Sequence, residues 1–112
     1  MKLLIAGSRS IKDLDISSYI PTDTELIISG GANGVDTLAE EYADKNRISK
    51  LILRPRYDLY RRAAARKRND EMVQRCDKVL IFWDGISKGT RHTIDYANKI
   101  GKPMEIITLP LN

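Results

Sequence analysis

The sequence predicts an α/β fold, a three-layer sandwich built on a mostly parallel sheet of about five strands. Five short apolar segments alternate with stretches of helical periodicity. Parallel neighbours need crossover connections, and helical crossovers cover both faces of a sheet. Three of the strands run into glycine-containing turns, at Gly7, Gly30 and Gly85. We therefore expect the 112 residues, 1–112, to form a single domain with one ligand site.

The composition excludes several classes of protein. Cys76 is the only cysteine and His92 the only histidine, so an intramolecular disulfide or an all-cysteine metal centre is ruled out. No apolar run approaches the roughly 18–20 residues that span a bilayer, and the N-terminal run is too short for a signal peptide. The expectation is a cytoplasmic protein without membrane or metal. Its net charge of +4 fits anionic partners.

The first strand is predicted over Lys2 to Ala6, a nearly continuous apolar run of the kind found in strands covered on both faces. It ends in Gly7-Ser8-Arg9. A short helix through Leu14, Ile16 and Tyr19 is predicted next, because Pro21 stops any continuation.

The second strand, Leu26 to Ser29, leads into the most glycine-rich turn of the chain, 30–34. Apolar residues then recur at helical spacing, which predicts a helix from Val35 to about Asn46. Glycines let a backbone approach a ligand closely, and a helix N-terminus attracts phosphate. Asp36 stands in the first turn of this helix, where its carboxylate either caps the helix or contacts a ligand hydroxyl.

A third strand is predicted over Lys50 to Arg54, followed by a basic helix within 56–77. Five cations fall within 61–68, the highest charge density in the chain. Arg61 and Arg68 are seven residues apart and are expected to share a helix face. These two arginines are therefore the candidates to reach a ligand from this segment.

The fourth and clearest strand is Lys78–Trp83, and the turn 84–90 follows it with two glycines, two hydroxyl side chains and a lysine. A helix from Thr90 to about Ile100 is expected, ended by Gly101 and Pro103. Met104 to Thr108 forms the fifth strand.

Because the carboxyl ends of parallel strands lie at one edge of the sheet, the three glycine turns are expected to converge there. The predicted ligand is a small molecule that bears phosphate. The turns lack both the Gly-x-Gly-x-x-Gly spacing and the Gly-Lys-Ser/Thr ending of a P-loop, which disfavours dehydrogenases and nucleoside triphosphatases.

The motifs in combination resemble the YspA-like branch of the SLOG superfamily over most of the chain. The residues that carry this resemblance are Gly7-Ser8-Arg9, Ser29-Gly30-Gly31-Ala32-x-Gly34-x-Asp36-x-x-Ala39, Arg68-Asn69-x-x-Met72, Asp77 and Phe82-Trp83-Asp84-Gly85-x-Ser87-x-Gly89-Thr90. The resemblance implies a Rossmann-like fold, binding of a mononucleotide or a derivative such as ADP-ribose or NAD, and homodimer formation. More distant relatives would be the Lonely Guy phosphoribohydrolases and the DNA-processing protein A family.

Two departures from these relatives bear on function. Thr93 stands where the Lonely Guy enzymes have a glutamate, which favours binding over cleavage of the ligand. Arg61 and Ala65 stand where the YspA-like branch usually has glycines.

The leading hypothesis is therefore a nucleotide-binding sensor or carrier with no certain cofactor. In this hypothesis the backbone of the two later turns and the side chains of Ser8, Arg9, Ser87, Thr90 and Arg68 bind phosphate, and Asp36 holds a ribose hydroxyl. The full set of candidate ligand-binding residues is Gly7, Ser8, Arg9, Gly30, Gly31, Ala32, Gly34, Asp36, Arg68, Asn69, Gly85, Ser87, Gly89 and Thr90.

Two alternatives remain open. The first is a nucleotide-processing hydrolase, such as an N-glycosidase, with Asp36 or Asp84 as acid or base. The second is single-stranded nucleic-acid binding through the basic helix 61–68, with Tyr57 and Tyr60 beside it.

Overall fold

A computed structural model describes residues 1–109 and contains a five-stranded sheet in which all neighbouring strands are parallel. This confirms the predicted fold class. The spatial order is β3-β2-β1-β4-β5. The strands are β1 Lys2–Gly7, β2 Leu26–Ser29, β3 Ser49–Ile52, β4 Lys78–Trp83 and β5 Met104–Thr108.

The connections between these strands carry the helices that cover the sheet. The helices are α1 Val35–Lys45, α2 Tyr57–Tyr60, α3 Ala64–Arg75 and α4 Lys88–Lys99, with 3-10 turns at Ser17–Tyr19 and Arg61–Ala63. In the described part of the chain, no helix has the length and apolar character that crossing a membrane requires.

Two apolar layers hold the helices against the sheet, one on each face. Leu3 and Ile5 of β1 point into the layer beneath α1, together with the fully buried Phe82 of β4. The alternate residues of β1, Leu4 and Ala6, point into the opposite layer beneath α3 and α4. Alternation of side chains between two covered faces explains why β1 is apolar from Leu3 to Ala6.

The predicted helix through Leu14 and Tyr19 is wrong. This segment contains only the 3-10 turn Ser17–Tyr19, whose start is fixed because the Asp15 carboxylate accepts hydrogen bonds from the N–H and hydroxyl of Ser17. Ile11, Ile16 and Ile20 are buried in the α1 layer, so burial of these side chains, rather than helical periodicity, shapes the connection.

The third strand lies over Ser49–Ile52 instead of Lys50 to Arg54, because its pairing with β2 ends where Ser29 meets Ile52. The predicted basic helix is also wrong in its extent. Helix α3 begins only at Ala64, since the backbone at Arg61 has φ +50° and turns the chain away from a helical path. Arg61 and Arg68 therefore do not share a helix face.

Candidate functional site

The candidate site lies where the strand order reverses. From β1 the chain proceeds outward to β2 and β3, and it then crosses to β4 and β5 on the other side of β1. Open α/β sheets bind ligands at this point, beyond the carboxyl ends of the two central strands. A cavity of about 430 Å³ opens there between the loops that follow β1 and β4.

The lining of this main cavity includes ten of the fourteen candidate ligand-binding residues and both candidate catalytic carboxylates. The ten are Gly7, Ser8, Arg9, Ala32, Asp36, Arg68, Asn69, Ser87, Gly89 and Thr90. Gly30 and Gly31 line a neighbouring cavity of about 310 Å³, and Gly34 lines a third one near Lys12. Gly85 lines none of these three.

Ser8 joins the two loops that flank the main cavity. Its side chain is 1% exposed, and its hydroxyl oxygen accepts a hydrogen bond from the backbone N–H of Asp84 at 2.9 Å. The N–H of Ser8 donates to the carbonyl of Phe82 at 3.0 Å. A Cβ on Gly7 would collide with that same carbonyl oxygen and with Val35, so this close contact between β1 and β4 requires glycine.

Asp84 shapes the loop after β4. Its carboxylate accepts hydrogen bonds from the N–H groups of Ile86 and Ser87 and from the hydroxyls of Ser87 and Ser10, at 2.8–3.0 Å. The N–H of Ile86 and these other donors hold the pKa of Asp84 well below its usual range. The Asp84 carboxylate is consequently ionised, stabilises this loop and is a weak base.

The N-terminus of α4 opens onto the main cavity. Lys88, Gly89 and Thr90 form its first turn and line the cavity. No side chain caps this helix, and the first intrahelical N–H donor is Arg91, which donates to the carbonyl of Ser87. Three backbone N–H groups and the positive end of the helix dipole are thus available to an anion.

The glycine-rich loop before α1 differs from the N-terminus of α4, because a carboxylate of α1 itself accepts a hydrogen bond from the loop. Asp36 is 7% exposed and accepts a hydrogen bond from the N–H of Ala32 at 3.1 Å. Burial raises the pKa of Asp36, an effect opposed by that hydrogen bond and by the charges of Arg68 and Arg9. The carboxylate therefore stabilises the preceding loop while also lining the main cavity.

Arg68 holds the same loop from the opposite side. Its Nη1 donates to the carbonyls of Gly30 at 2.6 Å and Leu53 at 3.3 Å, and its Nε donates to Asn69 at 2.8 Å. Burial lowers the pKa of Arg68, opposed by the charge of Asp36. Arg9 is exposed and makes no ion pair with the described residues, so its guanidinium remains available to a ligand.

Ser10 and Lys88 also line the main cavity, although the sequence did not predict them as site residues. Each stands beside a predicted residue in a polar turn, and this adjacency was the available signal. Among residues 1–109, no three His, Cys, Asp or Glu side chains come together as a metal site would require.

Most of the basic run lies outside the main cavity. Arg61, Arg62, Arg66 and Lys67 are exposed and form no ion pair within the described residues. Lys67 lies over the ring of Tyr60, with its Nζ 4.9 Å from the ring centroid. Arg68 is the one cation of this run that lines the cavity.

Comparison with known proteins identifies a viral relative. The chain is 30% identical to the Gene 61 protein of Mycobacterium phage D29 over 116 aligned residues, which cover 92% of this chain and 93% of the phage protein. No family model and no solved structure matches the chain significantly. The chain therefore belongs to the same family as the Gene 61 protein of Mycobacterium phage D29.

Proposed function

We propose that the main cavity binds the phosphate of a nucleotide or nucleotide-derived ligand, and that the protein acts as a sensor or carrier of that ligand. The uncapped N-terminus of α4 carries this proposal. Three N–H groups without an intrahelical acceptor line a cavity whose volume, about 430 Å³, falls in the range of small-molecule sites.

The side chains around these N–H groups suit an anion. Arg9 and Lys88 add positive charge, and guanidinium forks match phosphate oxygens in geometry. The hydroxyl of Ser8 already accepts the N–H of Asp84, so its proton is available to donate to a ligand oxygen. The resemblance of the turns to the SLOG superfamily supports this assignment. We further propose that the protein belongs to the YspA-like branch of that superfamily.

Gly89 offers a clean test, because an added Cβ would meet nothing within 4 Å. Gly89→Glu puts a carboxylate at the α4 N-terminus, where it favours helix stability but repels a phosphate. Isothermal titration with AMP and ADP-ribose should show binding to the parent protein and none to Gly89→Glu, with the melting temperature unchanged or raised. Asn98→Glu, an exposed position near the far end of α4, is the charge-matched control and should bind normally.

Two results would contradict the proposal: no binding by the folded parent protein, or undiminished affinity in Gly89→Glu. Gly31 is less suitable for such a test. It has φ +72°, and a Cβ there would meet Nη1 of Arg54 at 2.6 Å, so a substitution strains the loop as well as the site.

A second candidate function is hydrolysis of the bound nucleotide derivative, with Asp36 as the acid or base. Asp36 lines the main cavity, and burial raises its pKa, which is the direction that favours a proton donor. Asp84 is unsuited to that role because its pKa is lowered, and the hydroxyl of Thr93 is bonded to the carbonyl of Gly89. Asp36→Asn should then abolish turnover but keep ligand binding. If the parent protein turns over none of a panel of nucleotides, hydrolysis is excluded.

The exposed basic run favours one further candidate, binding of a single-stranded nucleic acid. Arg62 and Arg66 make no ion pair among the described residues, and Tyr57 and Tyr60 are 58% and 44% exposed nearby. Cationic tracks with stacking aromatics bind such strands. Affinity for a short oligonucleotide should fall steeply with salt and should weaken in Arg62→Ala and Arg66→Ala. No gel shift at low salt would exclude it.

A further inference from the structure

The corner where α2 meets α3 carries a cluster of exposed apolar side chains. Leu59 and Tyr60 are 60% and 44% exposed, and Tyr57 of the same helix is 58% exposed. Six large apolar side chains are exposed among residues 1–109, and three of them lie in the four residues of α2. A contiguous apolar patch on a small domain marks an interaction surface, whereas single exposed side chains carry no such meaning.

The same corner carries positive charge that no acidic side chain neutralises. Four of its cations are exposed and make no ion pair with any described residue, namely Arg61, Arg62, Arg66 and Lys67. Asp58 is the only acid between positions 56 and 69, and its carboxylate pairs with Arg56 at 3.0 Å. An acidic partner is therefore the electrostatic complement of this corner.

The backbone of Arg61 is a second sign of a functional surface. Its φ of +50° and ψ of −118° lie outside even the left-handed helical region that residues with a Cβ occasionally adopt. Strain of this kind persists mainly at functional sites. An exposed arginine at a position that suits glycine therefore indicates a role for its side chain.

Two features favour a protein segment over a single-stranded nucleic acid as the partner. The ammonium of Lys67 lies 4.9 Å from the centroid of the Tyr60 ring, so one face of that ring is covered and is not free for a base. Leu59 is the most exposed side chain of the cluster and has no aromatic ring on which a base could stack. It suits an apolar side chain of a protein, and tyrosine and arginine are enriched at protein interfaces.

We propose that an acidic segment of a partner protein docks on this corner. The docking surface consists of exposed residues within 59–67, namely Leu59, Tyr60, Arg61, Arg62, Arg66 and Lys67. Carboxylates of the segment pair with the arginine forks, and an apolar side chain of the segment packs on Leu59. None of these residues lines the main cavity, so the partner binds whether or not a ligand occupies that cavity.

The test measures the binding of two short fluorescein-labelled peptides by fluorescence anisotropy. One peptide consists of glutamates around two leucines, and the other has serines in place of the leucines. The leucine peptide should bind about tenfold more tightly, because packing on Leu59 removes its apolar surface from water. Leu59→Thr should abolish this gain and leave the affinity for the serine peptide unchanged. Ile106→Thr is the matched control, since Ile106 is 39% exposed in β5, and it should keep the gain.

Arg61→Gly tests the role of charge without weakening the fold, because glycine suits the backbone at this position. It should bind both peptides about five- to tenfold more weakly than the parent protein does. Lys99→Gln removes an exposed cation from the far end of α4 and is the charge-matched control. It should bind both peptides as the parent protein does.

Three results would overturn the docking surface: no binding of either peptide by the folded parent protein at low salt, equal affinities for the two peptides, or undiminished affinity in Arg61→Gly. Tighter binding of an oligothymidylate of equal charge than of the leucine peptide would also overturn it and would assign the corner to nucleic acid. None of these results bears on the main cavity, because AMP binding tests that cavity separately.

Discussion

Arg61 adopts a backbone conformation that suits glycine, and replacing it with glycine is expected to stabilise the domain. Its φ of +50° lies outside the regions that residues with a Cβ favour, and this strain costs about 1–3 kcal/mol. Glycine relieves the strain but makes the unfolded chain more flexible, at about 0.4–1 kcal/mol. The net gain for Arg61→Gly should be about 0.5–2 kcal/mol. For a domain of this size it raises the melting temperature by about 2–8 °C.

Thermal and urea unfolding measure this gain, and two further variants isolate its cause. Arg61→Ala removes the same charge but keeps a Cβ, so it should lack the gain. Arg62→Gly changes the next exposed arginine, whose φ is not positive, and should lose about 0.5–1 kcal/mol. If Arg61→Gly were destabilised as much as Arg62→Gly, or Arg61→Ala gained equally, backbone strain at Arg61 would be refuted.

Three further outcomes follow from the contacts around the site. Ser8→Ala leaves the N–H of Asp84 without its 2.9 Å acceptor and should lower the unfolding free energy by about 1–3 kcal/mol, whereas an unchanged melting temperature would contradict this. Phe82→Ala removes a fully buried ring that meets Tyr19 edge-on, and urea unfolding should show a loss of about 3–5 kcal/mol. Burial raises the pKa of Asp36 above its ordinary 3.8. Protonated Asp36 therefore contributes its full stabilisation of the fold below pH 3.8. This contribution is lost as the pH rises through the raised pKa of the folded protein. Asp36→Asn should therefore gain stability relative to the parent as pH rises above the ordinary value of 3.8, and parallel profiles would contradict the raised pKa.

The sequence was sufficient to locate the strands that are apolar and bounded by clear breaks. The predicted bounds of β2, β4 and β5 agree with the structure. For β2 and β4 the reason is burial on both faces, which makes such strands continuous apolar runs. The convergence of the loops after β1 and β4 at one edge also follows from the parallel topology alone.

The sequence was not sufficient where contacts between distant residues decide the conformation. Residues 57–68 have helical propensity almost throughout, so local propensity does not signal the break at Arg61. Ser8 and Asp84 are 76 positions apart, and their hydrogen bond depends on β1 pairing with β4. For the same reason the sequence did not indicate that Arg54 and Tyr57 line a cavity beside Arg9.

The proposed phosphate-bearing ligand lies between the loops after β1 and β4. A titration of ¹⁵N-labelled protein with AMP, followed by amide NMR shifts, tests this placement. The largest shifts should fall on the amides of Lys88, Gly89 and Thr90 and of the loop 8–10. The indole N–H of Trp83 should also shift, because it donates to the carbonyl of Ser87. Shifts confined to Arg61–Ala63 and the exposed face of α3, or no shifts at saturating AMP, would contradict it.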